Sequence, residues 1–410
     1  MITVAYIGLG SRGRVYLGGL ARHRDVSVTA LCDIDPAMLE AAGRRFPGAR
    51  RFGSDRAFFT AGKLADWLVV ATWDLCHVRH ADAALGLGYN LILEKPVTAD
   101  PAELDALCAK AKEKNATVLV CHVLRYSPFY SAVKKIVDSG AIGEVVNIAH
   151  EENVGYWHYA HSYVRGNWRN TQVSAPFLLA KCCHDFDLLH WLVQTPGEPP
   201  RACESVRAYG DLRYFKPENM PAGAASHCLQ GCPHVKTCPY SAEKLYLRTA
   251  TMLIWAKGIA AGLPKAPPRR ELRRILTDGQ YGRCVYQCDN DACDHHSAAM
   301  RFAGGITATL SVSAFSFGFT RRTRIQGTKG ELWGRDHTMR LHIHRFGRLP
   351  RVKKIHRRGL LSGHGGADGA FCGAAYRVMA GGAVDPDNMT TLEQTRISHR
   401  IVYEAMARIE

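Results

Sequence analysis

The amino-acid sequence predicts an α/β fold that begins with a doubly wound parallel sheet, and three observations support this. A glycine-rich turn lies between the strand pattern TVAYIGLG (3–10) and the helix pattern RVYLGGLARH (14–23). Further strand patterns alternate with helix patterns up to about residue 125. The chain has 410 residues, too many for one small core. We therefore expect two domains, one of residues 1–125 and one of residues 126–410.

The glycine-rich turn carries the pattern G-x-G-x-x-G, formed by Gly8, Gly10 and Gly13. Without side chains at these positions, backbone N–H groups can approach a pyrophosphate at the N-terminus of the following helix. The next strand pattern, VSVTALCD (26–33), ends at Asp33, whose carboxylate can accept hydrogen bonds from the adenosine ribose. The two residues after it supply no arginine for a 2′-phosphate. The sequence therefore predicts a site for NAD rather than for NADP.

The alternation of strands and helices continues beyond this first unit. The strand patterns are ADWLVVAT (65–72), YNLILEK (89–95) and TVLVCHV (117–123). The helix patterns between them are VRHADAALGLG (78–88) and PAELDALCAKAKEKN (101–115). In an open parallel sheet, ligands bind outside the carboxyl ends of the strands. We expect cofactor and substrate to meet there.

Several motifs, in order along nearly the whole chain, resemble one enzyme family. They are the glycine motif, ATWDLCH (71–77), LEKPV (93–97), LRYSP (124–128), IGEV (142–145), HDFD (184–187), IQGTKGEL (325–332) and the terminal helix. Through them the chain resembles the Gfo/Idh/MocA family, named after glucose–fructose oxidoreductase and inositol dehydrogenase. The resemblance implies a Rossmann domain followed by an α+β domain with an open, mostly antiparallel sheet. In the family that sheet forms the substrate wall and often a dimer interface, so we expect a homo-oligomer.

The resemblance also assigns residues. It places the catalytic lysine at Lys95 and implies a cis peptide bond before Pro96. Lys95 would hydrogen-bond the reacting hydroxyl and stabilise developing alkoxide charge. The other candidates for cofactor binding from these motifs are Ser11, Arg12, Thr72, Trp73, His77 and Glu94, with Lys95 itself among them. For substrate binding the motifs give Arg125 and Tyr126.

The segment LLAKCCHDFDLLHW (178–191) reads as a catalytic helix face. The family pattern has an aspartate four residues before a histidine. Here His184 fits the histidine, but Ala180 occupies the aspartate position. We expect His184 to accept the proton, since the ordinary pKa of a histidine side chain suits general acid/base work. Lys181 and Asp187 share its face, and Asp187 or Asp185 could orient its ring.

The stretch HEENVGYWHYAHSYVRGNWRN (150–170) holds too many charges for a core strand and suggests a wall that binds substrate. Its candidates are Glu152, His158, His161, Arg165, Trp168 and Arg169, each of which could instead be structural. Together with Lys181, the two arginines suggest an acidic sugar, because a guanidinium can hold an acid group with two hydrogen bonds. The alternative is a neutral substrate and cations that lie on the surface.

Fourteen cysteines in a long chain without a signal peptide indicate reduced thiols or metal ligands. In the Cys-rich loop 227–240, Cys228, Cys232 and Cys238 could bind a structural zinc ion with a nearby histidine. The alternatives are a loop without metal or an iron–sulfur cluster. A second group, Cys284, Cys288 and Cys293, could supply a fourth ligand, but RCVYQC (283–288) also reads as a strand with its cysteines on one face.

The net charge of +16 raises the question of a nucleic-acid partner. The one dense basic run, Arg340–Arg358, is accompanied by no nucleic-acid motif, so a solvated face is favoured over attraction of an anionic substrate. No apolar run reaches the roughly 20 residues of a membrane span. We expect a cytoplasmic protein without a nucleic-acid or membrane partner.

These observations predict an NAD(H)-dependent oxidoreductase that acts on a secondary hydroxyl of a sugar, polyol or glycoside. One alternative is an NAD-dependent glycosidase that oxidises, eliminates, adds water and reduces again, a reaction to which the resemblance extends. A third possibility is an NAD-sensing regulator without catalysis, which the missing aspartate at position 180 would fit.

Overall fold

A computed structural model describes residues 1–248, 254–263, 265–356, 363–383, 385 and 387–407. The first sheet is fully parallel and has the strand order β3-β2-β1-β4-β5-β6. Its strands are β1 (Ile2–Ile7), β2 (Val26–Cys32), β3 (Arg50–Phe52), β4 (Trp67–Val70), β5 (Asn90–Leu93) and β6 (Val118–Val120). The order reverses between β1 and β4, which opens a crevice at their carboxyl ends.

Helices cover both faces of this sheet, and several begin at side-chain caps. The helices are α1 (Ser11–Leu20), α2 (Pro36–Arg45), α3 (Asp55–Thr60), α4 (His77–Gly86), α5 (Pro101–Glu113) and α6 (Pro128–Asp138). The carboxylates of Asp35 and Asp100 accept hydrogen bonds from the first N–H groups of α2 and α5, and Ser127 caps α6 in the same way. Strand β3 and helices α2, α3 and α6 have no counterpart among the predicted elements.

The second sheet has eight strands in the order β14-β13-β12-β11-β7-β10-β9-β8. They are β7 (Val145–Asn153), β8 (Cys203–Asp211), β9 (His295–Phe302), β10 (Ile306–Ser313), β11 (Thr320–Gly327), β12 (Gly330–Arg335), β13 (Arg340–Arg345) and β14 (Arg351–Lys354). Strand β10 runs parallel to β7, and the other pairs are antiparallel. The predicted fold class is confirmed.

Helices pack on one face of the second sheet and leave the other open. The remaining helices are α7 (Tyr156–Tyr159), α8 (Phe177–Leu192), α9 (Ile254–Ala260), α10 (Arg269–Asp278), α11 (Ala367–Met379) and α12 (Leu392–Ala407). All residues of α8 are buried, between β7 and β10 of the sheet and the terminal helix α12. Apolar residues such as Ile148, Met300 and Leu310 alternate along the strands and fill this interface.

The structure corrects two expectations about local structure. Residues 150–153 belong to the central strand β7 despite their charges, since those side chains that point inward have charged partners on α8 and β11. The sequence RCVYQC forms turns rather than a strand.

The basic run that starts at Arg340 forms strand β13 and the edge strand β14, and all of β14 is exposed. Its last two residues, 357 and 358, lie outside the described residues. Within the described parts of the chain, no helix combines the length and apolar character needed to cross a bilayer.

Candidate active site

The glycine turn after β1 is shaped by close backbone contacts. Gly8 has a φ of +89°, and a Cβ atom there would lie 2.3 Å from the carbonyl oxygen of Ala71. A Cβ atom on Gly13 would lie 1.9 Å from the carbonyl oxygen of Gly8. At Gly10, by contrast, a Cβ atom would meet nothing within 4 Å. Two glycines therefore allow the turn to pack, and the third leaves open space where α1 begins, as a dinucleotide pyrophosphate requires.

The difference in space at Gly13 and Gly10 predicts different effects when each is replaced by alanine. Gly13→Ala should lower the free energy of unfolding by about 1–3 kcal/mol, because the backbone must move to admit the methyl group. Gly10→Ala should leave stability nearly unchanged but weaken NAD binding by about tenfold or more, a loss of roughly 1.4 kcal/mol. Urea unfolding and calorimetric NAD titration measure the two effects. Unchanged NAD affinity in Gly10→Ala would place the cofactor elsewhere.

Asp33 holds the glycine turn against the end of β2. Its Oδ2 accepts a hydrogen bond from the backbone N–H of Leu9 at 2.5 Å, and its Oδ1 accepts one from Asp35 at 2.8 Å. A carboxylate has lone pairs beyond these two bonds, so Asp33 can still accept hydrogen bonds from a ribose. The next residue, Ile34, is 77% exposed. The side chain that follows Asp33 is therefore exposed but uncharged, and position 34 offers no cation to a 2′-phosphate.

Arg12 and Glu94 form a partly buried cluster behind the turn. Arg12 Nε donates to Glu94 Oε1 at 2.7 Å, and Arg12 Nη2 donates to Asp368 Oδ1 at 2.9 Å. The hydroxyl of Tyr16 also donates to Glu94. Burial opposes ionisation of Glu94, but Arg12 and Lys95 together hold its pKa below the usual value. The cluster ties α1 to the residue before Lys95 and to α11, so these two predicted cofactor residues have a positioning role in the structure.

Lys95 points from the end of β5 toward α8. Its Nζ donates a hydrogen bond to the carbonyl oxygen of Ala180 at 2.5 Å, and the Lys95–Pro96 peptide bond is cis. His77 supports this turn, with Nδ1 2.7 Å from the carbonyl oxygen of Pro96 and Nε2 3.1 Å from that of Thr72. Lys95 thus reaches the helix one turn before His184, which is the next residue on that face.

His184 lies in a group of buried histidines. Its ring stands edge-on to that of His122 at 5.5 Å, and His122 stands edge-on to His399 at the same distance. Nε2 of His399 accepts a hydrogen bond from the backbone N–H of Val97 at 3.2 Å. Burial lowers the pKa of His122 to about 4, so this ring is neutral at neutral pH. His122 and His399 were not predicted as site residues, because nothing in their local sequence shows that they meet His184.

Asp74 is a further residue that the sequence analysis missed, although it lies within the ATWDLCH motif. Its Oδ2 is buried and has no hydrogen-bond partner among the described residues. Burial raises the pKa of Asp74, while the nearby His77 and Lys95 act in the opposite direction. The carboxyl group therefore lies within electrostatic reach of the proposed catalytic lysine. Asp74 lies in the segment that follows the carboxyl end of β4, and this position is the signal that could have identified it as a site residue.

A charged network joins α8 to the second sheet. Glu152 on β7 lies between two cations, with Oε1 3.0 Å from Lys181 Nζ and Oε2 2.9 Å from Arg321 Nε. Arg321 also donates to Asp185 Oδ1 at 2.6 Å, and His150 Nε2 lies 3.0 Å from the same oxygen atom. Burial disfavours the Asp185 carboxylate, but Arg321 and His150 hold its pKa well below the usual value. Asp185 therefore anchors α8 to the sheet.

Arg125 and Asp187, both predicted near the substrate, form a buried pair with each other. Arg125 Nε donates to Asp187 Oδ2 at 2.7 Å, and Nη2 donates to Oδ1 at 2.6 Å. Tyr126 accepts a hydrogen bond from the backbone N–H of Thr390 at 3.1 Å. The polar groups of all three residues have partners inside the protein, and their contact with a substrate stays a prediction. The Arg125–Asp187 pair braces α8 against the segment after β6, and Tyr126 joins that segment to Thr390.

Only part of the predicted substrate wall faces Lys181 and the site. The ring of Phe319 contacts both His158, at 5.1 Å, and the ammonium group of Lys181, at 4.7 Å. Burial and Lys181 hold the pKa of His158 well below its usual value. Trp73, at the end of β4, lies 6.2 Å from Trp168. The two tryptophans bring the two halves of the chain together at a partly exposed edge.

The other part of this wall faces the Cys-rich loop. His161 Nδ1 lies 2.8 Å from the Tyr246 hydroxyl, and burial lowers its pKa to about 3. Arg165 donates to the carbonyl oxygens of Arg283, at 2.7 Å, and Tyr240, at 2.8 Å. Arg169 is bound to the Asp289 carboxylate at 2.9 Å. The proposed anion clamp of Arg165 and Arg169 is therefore corrected: both guanidinium groups are engaged within the protein.

The three cysteines predicted to bind metal do line one cavity, together with Cys284 from the second group. Their sulfur atoms do not form a ready ligand set. Among the residues that the structure describes, no three His, Cys, Asp or Glu side chains are gathered closely enough to hold a metal ion.

Comparison with known proteins accounts for both halves of the chain. Residues 2–122 match the NAD-binding Rossmann fold of the Gfo/Idh/MocA oxidoreductase family, and residues 134–406 match its C-terminal alpha/beta domain. The oxidoreductase YteT of Bacillus subtilis is 26% identical over 347 residues, which cover 81% of this chain and 76% of that protein. Inositol 2-dehydrogenase 1 of Saccharopolyspora erythraea is 27% identical over 199 residues, or 47% of this chain and 55% of that protein.

Solved structures share the fold over nearly the full length. The WlbA dehydrogenase of Bordetella pertussis, in complex with NADH and UDP-GlcNAcA, has a TM-score of 0.67 at 18% identity and covers 99% of this chain and 95% of its own. An oxidoreductase from Agrobacterium radiobacter, in complex with NAD+, L-tartaric acid and magnesium, has a TM-score of 0.67 at 16% identity. The match covers 99% of this chain and 96% of that protein. The chain belongs to the Gfo/Idh/MocA oxidoreductase family and carries its NAD-binding Rossmann domain.

Proposed function

We propose that the protein oxidises a secondary hydroxyl group of a sugar, polyol or glycoside, with Lys95 and His184 as catalytic residues. The observation that carries this proposal is the hydrogen bond from Lys95 Nζ to the carbonyl oxygen of Ala180. It directs the ammonium group from the cofactor domain to the helix turn that precedes His184. The relatives named as inositol 2-dehydrogenase and D-apiose dehydrogenase support the substrate class.

Lys95, His184 and the cofactor site have separate roles in the proposed reaction. An ammonium group has three N–H bonds, and Lys95 uses one on Ala180, so others remain for the substrate oxygen. Their positive charge stabilises the alkoxide as it forms. His184 accepts the hydroxyl proton. Bound NAD, held by the glycine turn and Asp33, supplies the hydride acceptor. The hydroxyl oxygen thereby loses a proton, the carbon that bears it loses a hydride, and the two become a carbonyl group.

The absence of the family's aspartate changes the charge around Lys95. Position 180 offers only its backbone carbonyl, a weaker acceptor than a carboxylate. Glu94, whose pKa Arg12 and Lys95 hold below the usual value, and Asp74 are the two carboxyl groups that would balance the Lys95 charge. The substrate itself would be recognised mainly through its hydroxyl groups, because Arg165, Arg169 and Lys181 already have partners in the protein.

A panel of free sugars, polyols and aryl glycosides tests this function. NADH formation from NAD and a sugar or polyol, followed by its absorbance, is the expected result. Release of the aglycone from an aryl glycoside without net NADH would indicate a glycosidase instead. A protein that binds NAD but reduces it with no member of the panel would favour a regulator.

A further inference from the structure

A small cavity beneath the Cys-rich loop brings together cysteines that are distant in sequence. Its volume is 20 Å³, and its lining includes Cys228, Cys232, Cys238 and Cys284. The two segments are fixed to each other by backbone hydrogen bonds, from Cys228 to Gly282 at 2.9 Å and from Cys284 to Ser226 at 2.7 Å. The sequence left the fourth ligand open between a nearby histidine and the second cysteine group. His234 also lines the cavity, but its Nε2 lies 2.8 Å from the carbonyl oxygen of Ala222, which leaves Cys284 as the fourth ligand. Cys288 is not part of the cavity lining, and its Sγ lies 3.3 Å from the carbonyl oxygen of Cys284.

Arg165 also lines this cavity, and its surroundings lack a balancing charge. It is completely buried, and none of the described carboxylates forms an ion pair with it. Its Nη1 has no hydrogen-bond partner within the described structure, and the same holds for the buried hydroxyl of Ser241 on the cavity wall. A buried cation without a counter-charge is costly. The groups beside Arg165 that can become negative are thiols, and its Nη2 lies 3.7 Å from Cys228 Sγ.

We propose that this cavity is a structural zinc site, with the thiolates of Cys228, Cys232, Cys238 and Cys284 as ligands. Zn²⁺ prefers tetrahedral sulfur ligands, and four thiolates around it leave a net charge of about −2 that Arg165 partly balances. Arg165 and Ser241 would donate their unused hydrogen bonds to the ligand sulfur atoms. Each thiol gives up one proton to solvent when the metal binds, so four protons leave as four Zn–S bonds form.

The thiols must turn to bind the ion, because they are not gathered as a ligand set in the structure. A cysteine side chain has one rotatable bond before its sulfur atom, so the backbone can stay where the two segments already hold it. Zinc would then fasten loop 227–240 to Cys284, under the helical turn that ends at Arg165.

Metal analysis of the whole protein, purified under reducing conditions, tests the site. We expect about one zinc ion per chain in the natural protein and almost none in Cys232→Ser or Cys284→Ser. Cys203→Ser is the matched control, since Cys203 is half-buried on β8 and lies outside the cavity lining. It should retain the zinc.

Cobalt titration of the natural protein keeps the test independent of how the variants fold. Binding of Co²⁺ by four thiolates should give the intense sulfur-to-metal absorption of a tetrahedral site, and Zn²⁺ should displace it. The proposal is overturned if the reduced natural protein neither contains zinc nor binds it on titration. It is equally overturned if Cys284→Ser keeps its zinc, or if iron and sulfide are found in place of zinc.

Discussion

Replacing Lys95 with methionine should lower kcat by about 10²–10⁴-fold, because the ammonium group that stabilises the developing alkoxide is lost. Methionine keeps much of the side-chain volume, and the backbone N–H of residue 95 can still donate to Glu94 Oε2, as it does at 3.0 Å. The Rossmann turn is unchanged, so NAD binding should fall much less than kcat. Steady-state rates of NADH formation and calorimetric NAD titration measure the two quantities.

The matched control is Lys112→Met on the exposed surface of α5, which should leave kcat unchanged. Circular dichroism and the urea midpoint establish that both variants are folded. A folded Lys95→Met enzyme with the turnover of the natural protein would remove Lys95 from the catalytic assignment.

Replacing Arg125 with methionine should lower the free energy of unfolding by about 3–5 kcal/mol, because the Asp187 carboxylate stays buried without its partner. Both side chains of this bidentate pair are buried. The control is Arg400→Met, which breaks a pair with Asp105 that is largely exposed and should cost at most about 1 kcal/mol. Urea unfolding at neutral pH measures both losses. Equal losses in the two variants would contradict the proposed bracing of α8.

Acidification should reduce the difference between Arg125→Met and the natural protein. In the natural fold, burial opposes ionisation of Asp187 but Arg125 outweighs it, so the folded-state pKa is lowered. A lowered carboxyl pKa contributes stability above the unfolded value of about 3.9, and this contribution is lost as the pH falls toward the folded-state pKa. Without Arg125 that contribution is already absent. The stability gap should therefore narrow as the pH falls below about 4.

The sequence identifies those parts of the site whose function depends on the chain nearby. Gly8, Gly10 and Gly13 lie between a strand and a helix, and the turn geometry follows from that local order. Lys95 follows the strand pattern YNLILEK, so the topology rule for parallel sheets places it at the crevice. These residues could be found without knowledge of what packs against them.

Residues whose partners come from distant segments could not be assigned in the same way. Arg165 lies in a stretch rich in candidate sugar-binding groups. The orientation of its guanidinium group, however, depends on hydrogen bonds to carbonyl groups more than 70 residues later in the chain. Arg321 stands in a strand pattern that gives no sign of Asp185, its partner on α8. Spacing alone indicates which side chains share a face, and only the packed structure shows what that face meets.

The complete burial of α8 has a consequence for the design of enzymes with altered selectivity. Its charged residues are committed to internal partners, so a library that varies this helix would yield mostly unfolded proteins. The aromatic rim offers more freedom: Phe319 borders His158 and Lys181, and nearby Phe317 is 83% exposed. Mutagenesis aimed at new substrates should therefore start with residues 315–319 and with Trp73 and Trp168, where the fold leaves room for change.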